Sequence, residues 1–348
     1  MVILNDKITE KECYSLLETI GLPVEHIDTD RRYWFIRTQG GEYFDEFFLD
    51  GFVGIGDEDV PCVDEKDRTK ELIEKVRESH PQATRALNQI HKFCKEIRKG
   101  DIVVIPSASS AQFAFGIIEE DEIYEEDAPS DEDVLDGKCP YTRRRKTHWI
   151  QGIPKSRVDS KLYTFFRNQQ KLSNVDDYGE YIERALHPFY VKEGKAHFTL
   201  SLVTPESPNA FDIPLYMNGI LSRAKQLYKD IGCNENDIKV QSRTNVQSAG
   251  LIELLGDPTF VALISIVVIG LFGGQAAFHH PSDGVYDGEV KTDGLAGFVL
   301  SLIDKFKDHN TIGDKQLKGA QDRLKVCDPR QSSASKQKKK HRRNKKRK

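Results

Sequence analysis

Apolar residues recur with two different periods along the chain, and the switches between them mark out its elements. Behind Thr9-x-x-Glu12, a capping-box pattern, Cys13, Leu16, Leu17 and Ile20 follow at helical spacing until Gly21-Leu22-Pro23 stops the run, which predicts a helical appendage over 1–30. Residues 33–37 (YWFIR) form a β-type run, Gly40-Gly41 interrupts it, and 43–48 leads into the GFVGIG run at 51–56, so two strands joined by a Gly-Gly turn are expected. Helical spacing returns over 67–79 and 81–98, the second stretch turning Ala83, Leu87, Ile90, Cys94 and Ile97 to one side. Strands are expected again at 102–106 and 113–118, and helices at 157–170 and 176–186.

A second domain begins near Gly194. Phe198, Leu200 and Leu202 alternate with polar neighbours as a half-buried strand, 214–231 reads as a helix, and 237–242 and 250–255 read as two strands. Then comes the run 258–278, PTFVALISIVVIGLFGGQAAF, with no charged residue in 21 positions. A helix apolar on every side is either a core helix or a membrane span, and this run reaches the roughly 20 residues a bilayer requires. Length favours a transmembrane helix, with Gly270 and Gly274 spaced for close helix packing. Against that, Lys239, Arg243 and Lys291 are too few flanking bases to orient a span, and a core helix buried by strands is the alternative. An amphipathic helix over 295–306 and a last strand at 324–326 complete the domain.

Charge changes this picture at the C-terminus. The chain has 51 Lys or Arg against 55 Asp or Glu, but ten of the bases lie in the last 13 residues, so the body is strongly acidic and the tail is a separate basic device. Lys336, Lys338, Lys339, Lys340, Arg342, Arg343, Lys345, Lys346, Arg347 and Lys348 would bind DNA, RNA or anionic lipid in a salt-dependent way, from a disordered segment over 331–348. Six scattered cysteines without a close pair read as reduced intracellular thiols, and the N-terminus carries no secretory signal.

The ordered set Trp34-x-x-Arg37, Gly54 and Gly56, Phe93, Gly100-Asp101, Pro106, Phe115-Gly116, Tyr124 and Arg145-x-x-x-Trp149 resembles the N-terminal module of Mrr-type restriction proteins, over roughly residues 30–175. That module is similar to the PUA/EVE-like group of small β-barrels. The resemblance implies a mixed β-barrel with inserted helices over 31–190, and a reader of nucleic acid, modified base or nucleotide. Its stacking surfaces would be Trp34, Tyr43, Phe47, Phe113, Tyr124 and Trp149, and its phosphate contacts Arg37, Arg143, Arg144, Arg145 and Lys146. Asp57 stands where a Trp is expected after the second strand, and an acidic insert with 11 acids over 119–136 is a further departure. The same residues have a plainer reading: Trp34 and Phe115 as core, Asp101 as a turn residue, and the Arg run as a counterweight to the acidic insert.

Catalytic patterns are few. Asp283, Glu289 and Lys291 have the letters of a metal-dependent nuclease but lie in a Gly- and Asp-rich loop, and His279-His280 point apart in any regular element. The sequence therefore predicts an α+β, non-enzymatic protein without cofactor or metal. It would be a reader at 31–190 joined to an α+β domain at 194–330 with one very hydrophobic helix, membrane-associated with the reader in the cytoplasm. Its partners would be nucleic acid or a nucleotide, a membrane or anionic lipid, and a second copy of itself. A role in prokaryotic genome defence comes from the resemblance alone. The rival is a soluble specificity subunit or nuclease of a restriction-like system.

Overall fold

The computed structural model describes residues 9–167, 169–203, 209–245, 250–272 and 312–331. They form two compact units, and residues 30–186 are one of them, inserted into the chain of the other.

The chain opens with α1 (Glu10–Thr19), whose Thr9 capping box forms as expected, and β1 (Glu25–His26). Neither is an appendage. Cys13, Leu16 and Leu17 of α1 are buried in the core of the outer unit, and β1 pairs in parallel with β9 (Phe189–Lys192). The apolar stripe of a ten-residue helix needs a partner surface to be stable, and here the rest of the outer unit supplies it.

The inserted unit runs β2 (Tyr33–Ile36), α2 (Phe44–Asp50), β3 (Phe52–Gly54), α3 (Lys70–Ser79), α4 (Ala83–His91), β4 (Ile102–Pro106), β5 (Gln112–Ile118), β6 (Tyr124–Glu125), α5 (Asp131–Leu135), β7 (Arg143–Pro154), α6 (Tyr163–Phe166), β8 (Leu172–Asn174) and α7 (Gly179–Leu186). Its sheet has the order β3-β7-β5-β4-β2-β8 with β6 also on β7, and forms a half-barrel. The 12-residue β7 makes the bend: residues 143–146 pair with β3 and β6, and 147–154 pair with β5. Strand β2 is apolar at every position because both faces of the sheet are covered. Trp34 and Ile36 join the core under α2 and α4, while Tyr33 and Phe35 join the one under α6 and α7.

The expected Gly-Gly hairpin does not form. β2 and β3 stand apart in the sheet, and 44–50 is helical, which the spacing of Tyr43, Phe44, Phe47 and Phe48 allows. Gly41, at φ 105°, serves a close approach instead: a Cβ there would overlap the backbone of Ala108. The expected helix at 157–170 shrinks to two 3-10 turns and α6, with the Asp159 carboxylate turned to the Lys161 amide and to Arg184.

In the outer unit, β9, β10 (Lys195–Leu202), β11 (Val240–Asn245) and β12 (Gly250–Gly256) extend the sheet in the order β1-β9-β10-β12-β11. Phe198 and Leu200 of β10, with Ile252 and Leu254 of β12, face α1, α8 (Asp212–Asp230), α9 (Pro258–Phe272) and α10 (Ile312–Arg323). The expected strand at 324–326 is a single bridge, Val326 to Leu202.

The transmembrane expectation is overturned. Every residue from Phe260 to Ile269 is buried among α1, α8, β10 and β12. No helix among the described residues is long and apolar enough to cross a membrane. The helix is apolar on all sides because neighbours cover all sides, and the Ser265 hydroxyl is satisfied internally by the Val261 carbonyl at 3.0 Å. Gly270 lies partly buried in its last turn, while Gly274, the 295–306 helix, His279-His280, Asp283, Glu289, Lys291 and the basic tail lie outside the described residues.

Candidate ligand-binding cleft

The aromatic side chains singled out by sequence do not converge on a common space. Trp34 has no exposed surface. Its Nε1 donates to Asp101 Oδ2 at 2.8 Å, and the Arg32 guanidinium lies 4.5 Å from its ring. Asp101 also accepts from the Arg32 and Arg98 amides, so it ties three segments together; burial pushes its carboxyl above the ordinary value, and these bonds hold it back. Phe47 packs on Phe52, and Phe113 stacks on Phe166 at 3.5 Å, both wholly buried. Tyr43 is buried edge-on to Tyr141, and Tyr124 is half-buried on β6. Trp149 is half-buried against Phe48 and donates to the Phe47 carbonyl at 2.6 Å.

The basic run on β7 points largely inward. Arg145 is fully buried and donates to the carbonyls of Phe93 (2.7 Å), Asp121 (2.8 Å) and Cys94 (2.9 Å). Phe93 and Cys94 belong to the π-helical turn Lys92–Glu96 that ends α4, so a cation closes a helix C-terminus there. Arg144 lies over the Phe52 ring and donates to the Tyr141 carbonyl, and Arg143 donates to the Glu58 carbonyl. Lys146 is exposed and pairs with Glu120 at 2.9 Å, while Arg37 is half-buried and reaches toward the Phe166 carbonyl. Strand β7 lies between β3 and β6, which is why its cations are covered. As placed, Trp34, Phe47, Phe113 and Arg145 cannot meet a base or phosphate without the core opening.

The same unit builds a different concavity. A cleft of about 430 Å³, open to solvent, is lined by Asp57, His80, Pro81, Gln82, Arg85, Ala86, Gln89, Gln169 and Lys171. Its first wall is the exit from β3. Gly56 leaves room for the Tyr141 ring, 2.8 Å from where a Cβ would stand, and Asp57 adopts φ 73°, the left-handed region that a non-glycine residue seldom occupies. Asp57 Oδ1 pairs with Lys171 Nζ at 2.6 Å and lies 3.9 Å from His80 Nδ1. The other ring nitrogen of His80 meets Asp59 at 2.9 Å, and Asp59 also accepts from Ser79 Oγ at 2.7 Å. The Ser79 hydroxyl first, then His80, holds the Asp59 carboxyl below its usual range.

The second wall is the turn before α4 and one face of that helix, and Gln89 is its fixed point. Only 6% exposed, Gln89 accepts from the Leu172 amide with its Oε1 at 2.7 Å, and its Nε2 faces Gln170 Oε1 at 3.4 Å. With the oxygen committed to β8, the amide polarity is set and Gln89 offers a donor. Arg85, Gln82 and Gln169 are exposed and adaptable. The cleft thus combines a carboxylate, a fixed donor, two adaptable amides and two cations, with no Phe, Tyr or Trp in its lining. Among the described residues, no group of three His, Cys, Asp or Glu is placed to hold a metal ion.

Sequence reasoning passed over His80, Gln82, Arg85, Gln89, Gln169 and Lys171. A signal was present at Gln89, which sits with Ala86 and Phe93 on the covered stripe of its helix; a polar residue there has a partner to satisfy. Over residues 34–170 the chain matches a family described as a domain of unknown function (DUF8426), a span that takes in all of the cleft lining except Lys171. No curated protein matches the chain.

Proposed function

We propose that the inserted unit is a binding module that takes one nucleotide, displayed by a nucleic-acid strand, into the cleft between Asp57 and Gln89. The observation that carries this reading is the fixed polarity of those two groups within a volume ordinary for a small-ligand site. Asp57 is an acceptor and Gln89 a donor. Of the four common bases, only guanine presents two adjacent donors, N1–H and the N2 amine, beside an acceptor, O6. Adenine and cytosine each place one donor beside an acceptor, and uracil flanks one donor with two acceptors. Arg85 and Lys171 at the rim supply phosphate contacts, with Asp57 releasing part of its hold on Lys171 when phosphate arrives. The ten bases of the C-terminal tail add a salt-sensitive attraction that is blind to sequence. Without an aromatic wall, affinity for an isolated base is modest and hydrogen bonding sets its selectivity.

Calorimetric titration of the full chain with GMP, AMP, CMP and UMP tests the reading. GMP should bind about tenfold or more tightly than the others, the effect of one well-formed bidentate contact. Gln89→Glu keeps an acceptor for the Leu172 amide while removing the donor, and should abolish the preference. Absence of binding by any of the four, or a preference indifferent to Gln89→Glu, refutes the reading.

A further inference from the structure

Cys62 and Cys94 are both half-buried thiols outside any disulfide. They belong to different segments that adjoin: the residue after Cys62 is bonded to His91, one helical turn before Cys94, and both cysteines pack against the same core cluster. Neighbouring bonds hold both in place. The loop that leaves β3 is pinned by Arg143 donating to the Glu58 carbonyl at 2.8 Å, and by the Val63 carbonyl meeting His91 Nδ1 at 3.1 Å. His91 closes α4, and Cys94 follows three residues later in the turn whose carbonyls Arg145 grips. Both thiols pack at the edge of one core cluster and are half-buried rather than sealed, unlike Cys13, Cys139 and Cys233.

We propose that Cys62 and Cys94 form a reversible disulfide on exposure to a peroxide, and that this bond clamps the loop bearing Asp57 and Asp59 to the helix bearing Arg85 and Gln89. The segments joined are the two walls of the cleft, so oxidation would tune ligand binding; that last step rests on the nucleotide reading, whereas the disulfide and the clamp do not. The chemistry balances as two thiols and one hydrogen peroxide giving one disulfide and two waters. The Cys62 thiolate attacks the peroxide oxygen, breaking the O–O bond to leave a sulfenic acid and the first water. The Cys94 sulfur then attacks that sulfur, displaces hydroxide and gives up its proton to form the second. Burial, followed by the neighbouring Cys62, pushes the Cys94 thiol up to about 12, in keeping with the resolving role proposed for it.

The test uses the full chain, treated with one equivalent of hydrogen peroxide, alkylated and mapped by peptide mass spectrometry. Two of the six thiols should disappear as a Cys62–Cys94 cross-link that dithiothreitol reverses. Cys94→Ser should instead leave a sulfenic acid on Cys62 that dimedone traps, and Cys62→Ser should leave Cys94 reduced. A cross-link between other cysteines, or six alkylatable thiols after treatment, overturns the proposal. Hydrogen exchange then reads the clamp without any ligand: amides of residues 57–64 should exchange about tenfold more slowly in the oxidised form. Unchanged exchange in a cross-linked protein overturns the clamp. A clamp confirmed in a protein that binds no nucleotide refutes only the nucleotide reading.

Discussion

Arg145→Met separates the two roles that a buried arginine on β7 could have. Removing a phosphate-binding cation from a surface weakens binding and leaves the fold alone; removing an internal tie from a core does the reverse. Arg145 makes three bonds of 2.7–2.9 Å to main-chain carbonyls of Phe93, Asp121 and Cys94 and has no exposed surface. Hydrogen bonds to a charged group contribute about 1.5–3 kcal/mol each, but desolvation of the guanidinium, which also lowers its pKa, offsets a large part. Methionine fills similar volume without that desolvation cost and strands three carbonyls, at about 1 kcal/mol apiece once water reaches some of them. The expected loss is therefore about 3 kcal/mol, or a fall in Tm of about 6–12 °C for a unit of this size. Both tryptophans of the chain, Trp34 and Trp149, lie in the inserted unit, so urea titration followed by tryptophan fluorescence reports on that unit. A loss below about 1 kcal/mol, or weakened nucleic-acid binding at unchanged stability, would refute the structural role. Lys146→Met, on the same strand but exposed, is the control and should not shift the transition.

Other substitutions probe the remaining claims. Trp34→Phe removes the indole donor from Asp101 and should cost about 1–3 kcal/mol by the same titration, with Trp149 as reporter. Asp57→Gly relieves a left-handed non-glycine residue and breaks a half-exposed pair with Lys171, so stability should stay within about 1 kcal/mol of the parent while calorimetry shows the guanine preference gone. In the outer unit, Ile264→Ala should cost about 2–5 kcal/mol by circular dichroism in urea, because α9 is enclosed on every side. Asp212, in the first turn of α8, is held below its ordinary range first by the bidentate Arg323 bonds. Its stabilising effect is complete above the unfolded aspartate value near ~3.9 and is lost as pH falls through the lowered one. Asp212→Asn should flatten that part of the acid limb in a pH series of Tm.

Where local patterning and tertiary burial agreed, the sequence was readable. The Thr9 capping box, the amphipathic α4 and α8, and the strands at 102–106 and 113–118 all stand where their periodicity places them. The failures share a cause, which is that period does not say what covers an element. Continuous apolarity over 33–36 fitted a barrel strand as well as the two-faced strand it is. Tyr43 to Phe48 is apolar enough for a strand, yet the helical spacing of its four aromatics fits the helix that forms. Insertion of residues 30–186 into another unit was illegible, because the pairing of β1 with β9 joins segments that share no local signal.

The candidate site was hidden for a related reason. Aromatic and arginine residues draw the eye as binding groups, yet a half-barrel covered on both faces needs such residues to fill it, and Trp34, Phe113 and Arg145 do so. The polar groups facing the cleft come instead from two kinds of departure. Gln89 interrupts an apolar stripe and is tolerated because β8 takes its oxygen. Asp57 occupies a backbone conformation that favours glycine, and Lys171 and His80 surround its carboxylate. Each departure opposes a local preference, and the two meet in one concavity. On the proposed nucleotide reading, a ligand that needs both an acceptor and a donor gives the two departures a common reason.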